Sequence, residues 1–209
     1  MSKDIMKIKV SDIFEGFPDF EQQQPQQRQQ QPRQRRVVHG SDKPRRLSVN
    51  ETKTFHKKKH LIGRTIIQRT DSRETHYGAR ALNARFPSYL DRHTRDFDIF
   101  TPHPYRDARE TEKALDKKFN GDFFYVTQAE HPGTWKVKAH ATDETYADYT
   151  KTPKGIPREN IRGIFYPTIS HIEKSLKRTL NDPEASHRHT KDQDSLNRIQ
   201  IYKMNRRLF

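Results

Sequence analysis

The chain has 209 residues, which leaves room for one ordinary domain and its tails. Only 30% of the residues are apolar, so we expect a modest core with a long polar segment outside it. The formal charge of +14 favours polyanionic partners, namely nucleic acid, an acidic membrane surface or an acidic protein. The chain has no cysteine, which excludes disulfides, thiolate zinc sites and cysteine nucleophiles.

Hydropathy along the chain argues against a membrane or secretory protein. No apolar run approaches the roughly 20 residues that a membrane-spanning helix needs. The N-terminus lacks the apolar stretch of a secretory signal. We therefore expect no membrane span and a location in the cytoplasm, the nucleus or the interior of a virion.

Residues 1–21 hold seven large apolar side chains among polar ones. This content predicts that residues 5–20 dock as a peptide on a protein partner or on the domain itself, although a frayed terminus is the simpler alternative. The apolar residues are Ile5, Ile8, Val10, Ile13, Phe14, Phe17 and Phe20.

Residues 22–60 are predicted to form a flexible linker, first rich in glutamine and then basic. Residues 22–34 contain nine glutamines, too little apolar surface to offset the entropy of an ordered chain. The basic part should bind phosphate backbones without reading sequence, or else be a solvated arm. The predicted nucleic-acid-binding residues are Arg33, Arg35, Arg36, Lys43, Arg45, Arg46, Lys57, Lys58 and Lys59.

A folded domain is expected over residues 61–205. Residues 61–67 indicate a helix or strand entering the core, and Gly78 opens a short helix that Pro87 ends. Residues 97–100 are β-prone, and the spacing of apolar residues predicts a helix over 107–119 that stops at Asn120. Residues 123–126, 135–141 and 146–150 indicate three further strands.

Two more helices are predicted in the C-terminal part. Ile169, Ile172, Leu176 and Leu180 form one amphipathic stripe, and Asp182-Pro183 begins a last helix that runs to about Met204. The fold class expected from these elements is α/β (α+β), a small mixed β-sheet backed by helices.

A glycine turn and two acidic residues form the most informative pattern in the chain. Asp96 and Asp98 are two residues apart in a β-prone run, so both carboxylates should leave the same face of a strand. Mg²⁺ suits such a pair because it prefers oxygen ligands and commonly combines carboxylates with substrate phosphates. Upstream, the turn at Gly78 opens a helix, where backbone N–H groups can cradle phosphate.

The segments Gly78-Ala79-Arg80-Ala81-Leu82 and Thr94-Arg95-Asp96-Phe97-Asp98 resemble the signature of the nucleotidyltransferase (polymerase beta-like) fold. The resemblance is to the Gly-Gly-x-Ala-Leu/Asp-x-Asp branch, which includes antitoxin-type and large-DNA-virus proteins. It covers roughly residues 60–203. Ala79 departs from the pattern, because the family has a second glycine or a serine there.

The resemblance implies a third carboxylate on a neighbouring strand, and Asp148 matches that position. It assigns Asp96, Asp98 and Asp148 as catalytic residues and as ligands of Mg²⁺ (or Mn²⁺). It assigns the nucleotide to Gly78, Ala79, Arg80 and Lys191, with Lys136 and Lys138 as alternative contacts for pyrophosphate.

The implied activity is Mg²⁺-dependent transfer of a nucleotide from an NTP to a hydroxyl of RNA, a protein or a small molecule. The competing interpretation is a non-catalytic basic structural or packaging protein, for example of a large DNA virus particle. Such a protein would keep the fold and bind nucleic acid or neighbouring proteins through its N-terminal arm. Convergence of the three carboxylates distinguishes the two.

Overall fold

The computed structural model describes residues 43–206, which form seven strands and six α-helices around a mixed sheet. The docking peptide of residues 1–21 and the linker up to residue 42 lie outside the described residues. In chain order the elements are α1 (Val49–Lys58), α2 (Leu61–Arg69), β1 (Thr75–Tyr77), α3 (Gly78–Asn83), β2 (Phe97–Thr101), α4 (Pro104–Phe119), β3 (Phe124–Gln128), β4 (Thr134–Ala139), β5 (Thr145–Lys151), β6 (Arg158–Ile161), β7 (Ile164–Pro167), α5 (Ile169–Leu180) and α6 (His189–Asn205).

Five strands form the central sheet in the order β1-β2-β5-β4-β3. The β2–β5 pair is parallel and the other pairs are antiparallel, as a mixed sheet requires. Helices α1, α2 and α4 cover one face, where Phe55, Ile66, Leu115 and Phe119 are almost completely buried. The predicted fold class, a small mixed sheet backed by helices, is confirmed.

Helix α1 corrects the predicted domain boundary at residue 61. A capping box begins it, because the Ser48 side chain accepts from the backbone of Glu51 and the Glu51 side chain accepts from the backbone of Ser48. Phe55 is fully buried against Phe119 and Phe124. Residues 49–58 are therefore part of the domain and not of a flexible linker. Burial of the Phe55 ring holds this helix to the domain, although most of its other residues are polar or charged.

A β-bulge in β5 changes the alternation expected around Asp148. Val137 pairs with Ala147 but Lys138 pairs with Thr145, so Tyr146 is the extra residue. The bulge lets Tyr146 and its neighbour Ala147 both be buried, and the Tyr146 ring packs against Phe55. Asp148 remains on the opposite face of the sheet from Tyr149, whose hydroxyl lies 2.6 Å from Thr111 Oγ1 of α4.

The hairpin β6–β7 was not predicted, because both strands are only four residues long and β6 is largely exposed. It packs beside β1, the edge strand of the sheet, and so covers an edge that would otherwise be open. Arg85 joins the hairpin to the end of α3: its guanidinium donates to Pro167 O (2.7 Å) and to Glu159 Oε1.

Helices α3, α5 and α6 surround a second, smaller core of Leu82, Phe86, Leu90 and Ile199. The predicted last helix is divided, since Asp182 caps a 3₁₀ turn, Pro183–Arg188, that precedes α6. Within residues 43–206, no helix is both long and apolar enough to cross a membrane.

Candidate active site

A cavity of about 850 Å³ lies between the sheet face opposite α4 and the helices of the second core. It is lined by most of the predicted site residues, which come from β2 and the residue before it, β4, β5, α3 and α6. Those on its wall are Gly78, Ala79, Asp96, Asp98, Lys136, Lys138, Asp148 and Lys191.

Asp98 and Asp148 are direct partners in the parallel pairing of β2 with β5. Burial, followed by the charges of Asp96 and Asp148, raises the pKa of Asp98 to about 6. Burial also raises the pKa of Asp148. The positive charge of Lys136 lowers this pKa, and the negative charge of Asp96 raises it further. The three carboxylates thus lie on one side of the sheet, and their negative charges interact.

Asp96 is placed by its own loop, one residue before β2 begins. Thr94 Oγ1 donates to Asp96 Oδ1 at 2.6 Å, and Arg80 Nε donates to the Asp96 carbonyl at 2.7 Å. These contacts fix the entry to β2 from both sides. They also occupy one of the two carboxylate oxygens that Asp96 could offer to a ligand.

Gly78 is a position that only glycine fits. Its φ is +66°, and a Cβ built there would lie 2.1 Å from Asp98 Oδ2. The bare backbone at the start of α3 therefore lies directly against the Asp98 carboxylate. Ala79 is 3% exposed and its backbone follows Gly78 on the cavity wall, so a methyl group is accommodated there.

Arg80 does not lie on the wall of this cavity, contrary to its predicted role in nucleotide binding. Its guanidinium lies 3.5 Å above the Phe97 ring and forms part of a separate cavity of about 240 Å³. The reason is helical geometry: Arg80 is two residues after Gly78 and so leaves α3 in another direction. Arg80 holds the Asp96 loop instead.

Two cations of the α6 region face the acidic residues. The charges of Lys191 and Arg188 both lower the pKa of Asp98, although burial outweighs them. Lys191 was predicted for the nucleotide, whereas Arg188 was not assigned a role. The sequence feature that could have identified Arg188 is its spacing. It precedes Lys191 by three residues, which is about one helical turn.

The donor set fits a hard divalent cation in its chemistry. Asp148 Oδ1 is buried and has no hydrogen-bond partner, and Asp98 and Asp148 are neighbours across strands that lie roughly 4.8 Å apart. Carboxylates at such a spacing suit Mg²⁺, which completes its shell with water and phosphate oxygens. Among the described residues, however, no three His, Asp or Glu side chains approach closely enough to hold a metal by themselves.

Half of the predicted nucleic-acid-binding residues that the structure describes make contacts within the domain. Arg45 pairs with Asp122 and Glu51 at 2.9 Å each, and Lys59 pairs with Glu144 at 3.2 Å. Lys58 Nζ donates to Phe119 O at 2.9 Å, at the end of α4. Lys43, Arg46 and Lys57 are exposed, whereas Arg33, Arg35 and Arg36 lie outside the described residues.

No protein-family model matches the chain, and no curated protein matches it either. Among solved structures, the Megavirus polyadenylate synthase is 20% identical and superposes with a TM-score of 0.57. The match covers 82% of this chain and 40% of the viral enzyme, so the chain spans less than half the length of that relative.

Two Helicobacter pylori proteins also match. JHP933 is 15% identical with a TM-score of 0.41, over 72% of this chain and 66% of its own. A second protein, provisionally assigned as a nucleotidyltransferase, is 16% identical with a TM-score of 0.39, over 64% and 59%. Both TM-scores are below 0.5, so the argument from fold rests on the viral enzyme. At 20% identity that likeness concerns the fold alone, and this chain shares the fold of the matched part of the viral enzyme.

Proposed function

We propose that the protein transfers a nucleotide from an NTP to a hydroxyl acceptor in the cavity beside Asp98. The observation that carries the proposal is the convergence of Gly78, Asp96, Asp98 and Asp148 on one cavity within a nucleotidyltransferase fold. The close approach of the Gly78 backbone to the Asp98 carboxylate adds to it, because a side chain at position 78 would collide with that carboxylate.

In this reaction an acceptor hydroxyl attacks the α-phosphorus and pyrophosphate leaves. Asp148 would take the proton of the acceptor hydroxyl, because it lines the cavity and its Oδ1 has no hydrogen-bond partner among the described residues. Burial raises the pKa of this carboxyl. Lys191 and Arg188 would bind the triphosphate, and the backbone at Gly78 would approach it closely.

The cation implied by the fold would be held by Asp98 and Asp148, with Asp96 beside them. Bound Mg²⁺ would stabilise the charge on the attacking and leaving oxygens. Without a bound cation, burial and then repulsion from Asp96 and Asp148 raise the pKa of Asp98 to about 6.

The acceptor is proposed from the viral neighbour. Because the Megavirus protein is a polyadenylate synthase, ATP and the 3′-hydroxyl of RNA form the first substrate pair to test. A protein hydroxyl and a small-molecule hydroxyl are the other two acceptor classes, and the same labelled reaction can detect both.

The test is label transfer from each α-labelled NTP, with Mg²⁺ or Mn²⁺, to RNA or to protein. Asp98→Asn should reduce transfer at least about 100-fold, since it removes a carboxylate that would hold the cation. Asp91→Asn is the matched control, because Asp91 is an exposed aspartate of the same loop and does not line the cavity.

One observation favours the non-catalytic alternative. In residues 43–206 no three acidic or histidine side chains lie close enough together to hold a metal ion, and Asp96 already accepts a hydrogen bond from Thr94. If the wild-type protein transfers no label and binds no NTP in the presence of Mg²⁺, the basic structural protein is the better description. Binding of RNA alone does not separate the two.

A further inference from the structure

Asp192 is a buried carboxylate on the helical wall of the same cavity. It is the fourth residue of α6 and lies on the inward side of that helix with Ser195, Leu196 and Ile199. Only 3% of its surface is exposed. It lines the cavity together with Ser195, whereas the exposed residues Gln193 and Asp194 do not.

The two oxygens of Asp192 are poorly satisfied. Arg188 Nη2 lies 3.6 Å from Oδ1, which is longer than a hydrogen bond, and the Arg188 side chain is 55% exposed. Oδ2 is buried and accepts no hydrogen bond from any described residue. A buried carboxylate oxygen without a donor is costly, so this position favours a ligand that brings an N–H or O–H group.

The surroundings of Asp192 differ from those of the sheet carboxylates. The helical wall of the cavity presents Leu82 of α3 and Ile172 and Leu176 of α5, all of which belong to or pack against the second core. The cations Lys136 and Lys138 belong to β4, on the sheet side. The helical wall also carries the cations Arg188 and Lys191, so it combines charged side chains with an apolar patch and one buried acceptor.

We propose that Asp192 determines nucleotide specificity by accepting a hydrogen bond from an N–H group of the nucleobase. This inference rests on the proposed function. A base has apolar faces that suit Leu82, Ile172 and Leu176, and its edge carries the N–H donors that Asp192 Oδ2 lacks. The carboxylate itself would repel a triphosphate, which would pair instead with Arg188, Lys191 and the two lysines of β4.

The test compares nucleotide binding by the full chain and two variants, measured by calorimetry with Mg²⁺. Asp192→Asn keeps the size of the side chain but removes the charge, and Asp194→Asn is the matched control on the exposed side of α6. The probes are ATP, GTP, CTP, UTP, their 2′- and 3′-deoxy forms, and inorganic tripolyphosphate.

Asp192→Asn should weaken the preferred NTP by about tenfold or more and change the order of preference among the four bases. Tripolyphosphate binding and the penalty for a missing ribose hydroxyl should not change, and Asp194→Asn should behave as wild type. An unchanged order of preference, or an equal loss for NTPs and tripolyphosphate, would show a structural role. If Asp192→Asn bound the deoxy nucleotides as tightly as the ribonucleotides, Asp192 would contact the ribose and the proposal would be wrong.

A measurement on the wild-type chain removes any dependence on how the variant folds. The preferred nucleotide should lose about tenfold in affinity when its base N–H donors are methylated, and equal affinity would contradict the role of Asp192. If wild type binds NTPs but Asp192→Asn keeps the same order, this inference alone fails. If wild type binds neither NTP nor tripolyphosphate, the proposed function itself fails.

Discussion

The contact between Gly78 and Asp98 brings the turn before α3 against the acidic site, because residue 78 has no side chain. The turn requires a positive φ, and the neighbouring carboxylate excludes a Cβ. Only glycine meets both requirements, because it has no Cβ and adopts a positive φ readily. The backbone at position 78 can therefore lie against the Asp98 carboxylate. A substitution here should therefore affect the fold and the site together.

Gly78→Ala should lower the free energy of unfolding by about 1–3 kcal/mol and abolish Mg²⁺-dependent NTP binding. The matched control is Gly155→Ala, because Gly155 has nearly the same φ, +67°, with no atom within 4 Å of the added Cβ. The control should lose about 1 kcal/mol and bind NTP normally. Denaturant unfolding and calorimetry measure the two effects, and equal behaviour of both variants would refute the contact.

The raised pKa of Glu74 makes the stability of the protein depend on pH. Burial, with the nearby charges of Asp71 and Asp107, raises the pKa of Glu74 to about 7, from 4.5 in an unfolded chain. The folded state thus binds this proton more tightly, so ionisation of Glu74 lowers the free energy of unfolding as the pH rises from about 4.5 to about 7.

Glu74→Gln should stabilise the protein by about 1–3 kcal/mol at pH 8 and by close to nothing at pH 4.5. The amide oxygen can still accept from the Asp71 backbone, as Glu74 Oε2 does at 2.9 Å. Urea unfolding of wild type and variant across this range measures the difference, to which unaltered groups contribute equally. A gain that is independent of pH would show that the raised pKa is not the cause.

Helix α1 shows how one side chain brings a charged segment into the domain. Of its ten residues only Phe55 is buried, yet that ring contacts three other aromatic rings of the main core, Phe119, Phe124 and Tyr146. The hydrophobic effect of one aromatic residue is therefore the main term that holds residues 49–58 to α4 and β5.

Phe55→Ala should lower the free energy of unfolding by about 3–5 kcal/mol, because it leaves a cavity among those rings. Lys53→Ala, an exposed position of the same helix, should change it by less than about 0.5 kcal/mol. Chemical denaturation of the full chain compares the two. A small loss for Phe55→Ala would mean that α1 is loosely attached, as a linker would be.

The charge of the whole molecule and the charge free to meet a polyanion are different quantities. The formal charge is +14, but several basic residues before residue 61 are bound to acidic or carbonyl groups of the domain. Exposed surface pairs of this kind add little stability, yet they direct the side chain inward. Lys43, Arg46 and Lys57 are the described members of the set that remain exposed.

Replacing Lys43, Arg46 and Lys57 by alanine should weaken the binding of single-stranded RNA. Because each phosphate contact on a single strand contributes about −0.7 to the slope of log K against log salt, the slope should become shallower by about 2. The charge-matched control replaces Lys154, Lys174 and Arg178, which are exposed on other elements. Fluorescence anisotropy at several salt concentrations measures both, and equal slopes would place the polyanion elsewhere.

Local patterns in the sequence predicted the elements whose periodicity is strong. Helix α4 ends at Asn120 in the left-handed conformation, α5 has its apolar stripe, and Asp182-Pro183 begins a helical turn. The glycine turn and the acidic pair predicted the fold through their resemblance to the nucleotidyltransferase signature. Helix α1 and the β6–β7 hairpin could not be predicted, since each owes its place to a distant partner.

The sequence alone determined that a glycine turn, an Asp-x-Asp strand and a third strand with Asp148 occur in order, because glycine and carboxylates are local requirements. Only the tertiary structure decided which side chains share the cavity. It turned Arg80 toward Phe97, bound Arg45, Lys58 and Lys59 within the domain, and buried Asp192 Oδ2 without a hydrogen-bond donor among the described residues. Direction and burial depend on contacts between residues far apart in the chain, and no local pattern records them.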